Sequence, residues 1–199
     1  HLALPPLPEG GDSGRLPPMV VVHVSIPLTP PALLQETPDG PTVSGTFVFG
    51  ATAEAQAASR CADPPPATEL MARFGADAAE RRMSAGVFKV IAMADNIDEL
   101  SVPRALQRFN GKPILIKRSA DLHVADNYIE VDIYVDRFSF VAQRGLWSFL
   151  PKVKQADCHI AFLLQGTRDA ELPECVFGAV RLLRPDYEAF GDLPDALLD

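Results

Sequence analysis

Nineteen prolines in 199 residues set the first limit on what this chain can fold into. The share is roughly twice the ordinary one, and the prolines bunch. Pro5, Pro6, Pro8, Pro17 and Pro18 come first, then Pro27, Pro30 and Pro31, then Pro64, Pro65 and Pro66. A proline has no N–H to donate and a fixed φ, so such bunches mark arms and loops rather than helix interiors or central strands. Residues 1–18 therefore read as a Pro/Gly-rich arm, disordered or polyproline-like when alone and ordered only against its own domain or a partner. His1 is not a translation start, so upstream sequence is expected.

Between the bunches the pattern is mostly that of strands. Met19–Ile26 (MVVVHVSI) is short and β-branched, a buried strand that Pro27 ends. Val43, Phe47 and Phe49 share one face of a strand over 43–49, and the two are expected to pair as a long-looped hairpin. Residues 51–60 are helix-compatible up to Pro64. Leu70, Met71, Phe74 and Ala78 recur at helical spacing over 68–83, with Arg73, Arg81 and Arg82 expected outside. Val87–Ala94 fits strand or helix equally. Ser101 is the expected N-cap of a helix with Pro103 in its first turn, a buried side of Ala105, Leu106 and Phe109, and Asn110-Gly111 as its stop. Residues 113–118, 158–165 and 175–183 read as strands, with helix an open alternative at the start of the last. The clearest element is 128–140, where Ile129, Val131, Ile133 and Val135 alternate with Glu130, Asp132, Tyr134 and Asp136. Strands and helices without regular alternation predict an α+β fold, an antiparallel or mixed sheet flanked by a few helices. The domain is expected over 19–190, followed by an acidic tail at 191–199.

Charge narrows the function classes. The net charge of −8 argues against nucleic-acid binding, which needs a basic surface to displace phosphate counterions. Residues 101–154 nevertheless carry +4 against −12 for the remainder. Lys117, Arg118, Arg137, Arg144, Lys152 and Lys154 form this basic middle, interleaved with Phe138, Phe140, Trp147 and Phe149. Cations beside aromatics suit an anionic membrane surface or a docking patch, unless the aromatics are simply core. Cys61, Cys158 and Cys175 have no zinc spacing and are expected as reduced thiols in an intracellular compartment. Apolar runs such as Met19–Val22 are far short of a bilayer span.

The sequence offers no convincing catalytic constellation. His1, His23, His123 and His159 lack metal-ligand spacing, and His23 and His159 are expected as packed, satisfied strand residues. Cys158 and His159 are adjacent on a strand and so point to opposite faces. Glu130, Asp132 and Asp136 are expected on a solvated outer face rather than around a cation, which would need more oxygen ligands and a turn. There is no G-x-S-x-G elbow, P-loop or G-x-G-x-x-G. No cofactor, metal site or catalytic residue is expected.

Several stretches together resemble the C-terminal domain of the plant and algal Enhanced Disease Resistance 2 family. Asn127-Tyr-Ile-Glu-Val-Asp-Ile-Tyr-Val135 is similar to its "NYxEIDxDI" strand, followed by Arg137-Phe-Ser-Phe140 and Arg144-Gly145. Glu171-Leu-Pro-Glu-Cys-Val-Phe-Gly-Ala-Val-Arg-Leu182 is similar to its "ELPExxxGAVRL" ending, and Val20-Val-Val-His-Val-Ser-Ile-Pro27 to its "VVNxQxP" strand. Phe88-Lys-Val-Ile-Ala92 and Asn110-Gly-Lys-Pro113 fall between them in order. The resemblance runs from Met19 to Phe190, without the family's opening "FxVRG" segment, and His23 stands where the family often has Asn. It implies no agreed enzymatic activity and carries no functional residues over. Its lipid association in plants comes with START and PH companions that this sequence does not contain. The expected function is a non-enzymatic module binding lipid or an anionic membrane peripherally. The alternative is an accessory structural subunit of a larger assembly, organellar, photosynthetic or ciliary, with a soluble or peripheral intracellular location that includes the plastid.

Overall fold

A computed structural model describes residues 16–32, 40–79, 87–125, 127–189 and 191. The N-terminal arm before Leu16, Arg81 and Arg82, and the acidic tail beyond Gly191 lie outside the described residues.

Eight strands form two four-stranded sheets. In chain order they are β1 (Met19–Pro27), β2 (Thr42–Gly50), β3 (Phe88–Ala94), β4 (Pro113–Ile116), β5 (Ala120–Val124), β6 (Ile129–Tyr134), β7 (Asp157–Leu164) and β8 (Val176–Leu183). The helices are α1 (Ala53–Ser59), α2 (Pro66–Ala79), α3 (Arg104–Gln107) and α4 (Phe140–Phe149). The first sheet runs β2-β1-β6-β5 and the second β4-β3-β7-β8. Successive strand pairs thus alternate between sheets: β1–β2 and β5–β6 build one, β3–β4 and β7–β8 the other. All neighbours are antiparallel except β1 and β6, which run parallel. The α+β class holds, with two sheets where one was expected. The 87–94 run resolves as strand from Phe88 to Ala94, because pairing on both sides satisfies its backbone.

The apolar faces of the two sheets meet. Val20 and Val22 of β1 and Ile129, Val131 and Ile133 of β6 form one core with Phe88 of β3 and Phe162 and Leu164 of β7, and Leu70, Phe74 and Ala78 of α2 join it. The expected face of 129–135 is therefore the buried one. Phe162 lies at the centre, its ring 5.6 Å from both Phe47 and Phe49, 6.0 Å from Phe88 and 6.4 Å from Phe177. These are offset or edge-on contacts that aromatic quadrupoles favour. Gly178 is required by this packing: a Cβ there would sit 2.6 Å from Phe49 Cδ1.

Three expectations around α3 are corrected. The N-cap is Pro103, whose carbonyl accepts from the N–H groups of Leu106 and Gln107. Ser101 instead turns the chain through the left-handed region, at φ 50°. Phe109 is 46% exposed rather than buried, with the Arg108 guanidinium 4.8 Å above its ring. The helix also ends before the expected Asn110-Gly111 stop, at Gln107 with Arg108 as C-cap, and the Asn-Gly pair instead docks the segment. Asn110 pairs both backbone groups of Ala94, and Gly111, at φ 69°, donates to Ala92 O.

Candidate functional site

The parallel pairing of β1 and β6 has a local consequence. Both strands end side by side, and the chain then leaves in two directions: Leu28–Ala32 after β1, and a 3-10 turn (Val135–Arg137) leading to α4 after β6. Such divergence beyond parallel carboxyl ends leaves a crevice, as at the switch points of α/β sheets. Here it is an open groove of about 220 Å³. One wall is Ile26, Pro27, Thr29, Pro31 and Ala32; the other is Val135, Asp136, Phe140, Gln143, Leu146 and Trp147.

The far wall is fixed from behind. Ser139 caps α4, its side chain accepting from the Ala142 N–H. Gly145 is buried against Leu106, where a Cβ would fall 2.7 Å from Leu106 Cδ2. Phe149 and Leu106 pack on a second small core of Ala94, Leu100, Val102, Ala156 and Cys158. Gln143 donates through Nε2 to the carbonyls of Asp136 and Phe138, tying the helix to the turn before it. Three apolar side chains of α4 reach solvent: Val141 is 68% exposed, Leu146 and Trp147 37% each. Isolated exposed apolar residues are ordinary; at helical spacing these three lie on different sides of α4, Leu146 and Trp147 lining the groove and Val141 away from it.

The six candidate cations divide into two sets. Arg137 pairs with Asp121 at 3.0 Å and lies 4.0 Å over the Tyr134 ring. Lys152 Nζ donates to Ser101 O at 2.6 Å. Lys154 bridges Glu188 and Asp186 at 2.6 and 2.9 Å, and hydrogen bonds to these two carboxylates raise its ammonium above the ordinary lysine range. Lys117, Arg118 and Arg144 have no acidic partner among the described residues, and all three are exposed. The turn after Arg118 touches the start of the α4 segment, because Ser119 O accepts from Tyr134 N and Ser119 Oγ donates to Arg137 O. Of the interleaved aromatics, Phe138 packs on the main core and Phe149 on the second. Phe140 and Trp147 line the groove.

The other candidates are structural. Glu130, Asp132 and Asp136 were expected on a solvated face, yet Glu130 is only 7% exposed and Asp132 half-buried. His123 of β5 reaches Asp132 at 3.0 Å, while His23 of β1, opposite Asp132 in register, hydrogen-bonds Thr46. Burial and the neighbouring Glu130 charge push the Asp132 carboxyl up, partly offset by the histidines. His159 bonds Asp95 at 2.8 Å on the outer face of its sheet, whereas Cys158 faces the second core. Burial pushes the Cys158 thiol up, as do the charges of Asp157 and Asp95. Among the described residues no cluster of His, Cys, Asp or Glu is placed to hold a metal ion, and no helix is long and apolar enough to cross a membrane.

The strongest polar constellation lies where periodicity gave no signal. Glu171, 1% exposed, receives the Arg73 Nε at 2.6 Å and Nη2 at 3.0 Å, together with the N–H groups of Thr167 and Arg168. Burial alone raises its carboxyl, but the Thr167 amide, Arg73 and the Arg168 amide together outweigh that and hold it below the ordinary range. Three residues on, Glu174 takes Lys89 Nζ at 2.8 and 2.6 Å and the Gly166 N–H. The Glu-Leu-Pro-Glu string is thus a loop clamp: two carboxylates pin Gly166–Cys175 to α2 and β3. Arg73, expected on the outer side of its helix, is engaged here instead.

The motif strings now have structural roles: an inner strand of the first sheet at Ile129–Tyr134, a clamp at Glu171–Glu174 and a clearance glycine at Gly178. The sequence profile described as Protein ENHANCED DISEASE RESISTANCE 2, C-terminal matches residues 6–186. The chain belongs to this family. No curated protein and no solved structure matches it. In this member of the Enhanced Disease Resistance 2 C-terminal family the shared motifs organise the sheets and the loop clamp. The α4 groove is built largely from residues outside those strings.

Proposed function

We propose that the domain is a non-enzymatic binding module that docks peripherally on an anionic lipid surface through α4 and its flanking turn. One observation carries this reading. Val141, Leu146 and Trp147 are exposed on a single short helix together with Arg144, while other apolar side chains of that helix are packed. Exposed apolar side chains, a tryptophan among them, beside a cation with no acidic partner among the described residues are suited to a membrane interface, with Trp at headgroup level. The ion pairs of Arg137 and Lys154 restrict the electrostatic contribution to Lys117, Arg118, Arg144 and Lys152, whose carbonyl partner leaves its charge in place. The net charge of −8 accords with a local patch rather than long-range attraction.

The test is sedimentation with vesicles of phosphatidylcholine and phosphatidylglycerol at increasing salt. Each basic residue near an anionic surface contributes about 1 kcal/mol, so the triple reversal Lys117→Glu, Arg118→Glu, Arg144→Glu should weaken partitioning by at least about 100-fold. Reversal of Arg137 and Lys154 should change it far less. Equal binding by wild type and the triple variant would refute the proposal.

A further inference from the structure

The groove itself has a chemistry that the surface around it does not. Asp136, Phe140, Gln143 and Trp147 line one wall at spacings of four, three and four residues, so two aromatic side chains and two polar ones share a single flank. The Asp136 carboxylate is half-buried and makes no hydrogen bond or ion pair to any described residue. Gln143 has both donations through Nε2 directed to backbone carbonyls, which leaves its Oε1 as an acceptor. An unpartnered carboxylate and a free acceptor beside two aromatic rings make a site for a cation, since ring faces and carboxylate both attract positive charge.

The remaining wall says which cation. Ile26, Pro27, Pro31 and Ala32 present carbon side chains to an occupant, with the Thr29 hydroxyl among them. A lysine ammonium brings three N–H donors and a guanidinium five, and those turned from Asp136 and Gln143 toward the aliphatic wall and the rings would lack acceptors. A quaternary ammonium carries its charge on methyl groups and has no donor to satisfy. It meets proline, isoleucine and aromatic walls without that cost, with Asp136 as counter-charge. The volume of about 220 Å³ is below the usual range for drug-sized ligands, about 300–1,000 Å³, so it suits a headgroup rather than a whole lipid. Arg144 follows Phe140 by four residues and precedes Trp147 by three, one helical turn from each. That is the place for the phosphate adjoining the onium group.

We infer that the groove between Pro27–Ala32 and α4 binds the choline headgroup of a phospholipid, with the quaternary nitrogen between Phe140, Trp147 and the Asp136 carboxylate and the phosphate toward Arg144. This rests on the membrane-docking reading above and specifies what is recognised there. Arg144 and the exposed apolar side chains provide adhesion to any anionic interface. The groove adds selectivity for lipids with a methylated nitrogen.

Trp147 is the chain's single tryptophan, so its emission reports on the groove directly. The intact chain is titrated with tetramethylammonium and with phosphocholine, using sodium and ammonium chloride at matched ionic strength as controls. The inference requires a saturable change with the two onium probes and none with the controls. Asp136→Asn should weaken both titrations at least tenfold at an unchanged melting temperature, and Phe140→Leu should weaken them as well. In a second arm, vesicles at fixed phosphatidylglycerol content carry phosphatidylcholine or phosphatidylethanolamine. Wild type should prefer the choline vesicles several-fold, and Asp136→Asn should bind the two equally. No saturable response to tetramethylammonium, or an Asp136→Asn variant that titrates like wild type, overturns the inference. A trimethyl-lysine peptide that quenches Trp147 while choline vesicles gain no preference would assign the groove to a modified protein and overturn the lipid assignment. Binding to phosphatidylglycerol that still depends on Arg144, without any onium response, would leave membrane docking standing and remove only the headgroup claim.

Discussion

The loop clamp at Glu171–Glu174 and the groove along α4 are both made of charged and apolar side chains, yet they are opposites in how those groups are satisfied. At the clamp, Glu171 is enclosed and accepts from two guanidinium nitrogens and two backbone amides. At the groove, Asp136 is half-buried with no partner among the described residues, and Val141, Leu146 and Trp147 face outward. Closed networks hold a fold in one arrangement; open ones are left for something else to close. The difference teaches where to look in this domain. The charged residues with the best geometry are the least available to a ligand.

The sharpest way to break this contrast is at Glu171. Replacing it with alanine leaves the Arg73 guanidinium and two amides beside a void, and should cost about 4 kcal/mol of stability, in the range for breaking a buried pair. Urea denaturation measures it, and a loss below 1 kcal/mol would show that the clamp is not a closed network. Arg73→Met should cost about 3 kcal/mol, the low end of that range, because Arg73 keeps 22% of its side chain exposed. It should also move the acid limb of the stability profile. Glu171 is held below the ordinary carboxylate value of 4.5, so its contribution is present above that value and is lost as pH falls through the depressed one. In Arg73→Met the decline should begin at higher pH, as melting curves between pH 7 and 3 would reveal.

A smaller effect is expected at Gly178→Ala. Its new methyl meets a Phe49 ring enclosed by Phe162 and Phe177, and overpacking of that kind costs about 2 kcal/mol. The smallest effect on stability belongs to the groove side. Val141→Asp should shift stability by less than about 0.5 kcal/mol, as surface changes do, while strongly reducing vesicle binding. A Val141→Asp variant as unstable as Arg73→Met would erase the distinction between the two regions.

The same contrast explains what the sequence revealed. Strands whose faces differ were legible: Ile129, Val131 and Ile133 alternate with polar residues because one side meets the opposing sheet. Val87–Ala94 stayed ambiguous because an apolar run carries no period. α4 was missed because apolar side chains occupy both its sides, some against the second core and some outward, which hides the helical stripe. Ser139, which caps it, was the available signal. β5 was missed because Ala120–Val124 is five residues long and carries Asp121 and His123, each answered by a partner on another element. The Arg73–Glu171 contact spans 98 positions, and no local pattern encodes a pairing of that range. Within the basic middle, residue type gave the charges but not which were already neutralised by Asp121, Asp186 and Glu188.

The alternation of strand pairs between the two sheets has one more consequence. Each sheet takes one strand pair from β1–β4 and one from β5–β8, so neither set of four contains a whole sheet. A cut at Lys117–Ser119, between β4 and β5, would leave two fragments, each holding half of both sheets and exposing inner strand edges on both. Neither piece should fold by itself, and mixing the two should restore the domain by complementation. The central seams, β1 with β6 and β3 with β7, join residues far apart in sequence, which places this domain among the slower folders. Shortened versions that remove β7–β8 would lose the outer half of one sheet and, with it, the wall against which Phe47 and Phe49 pack.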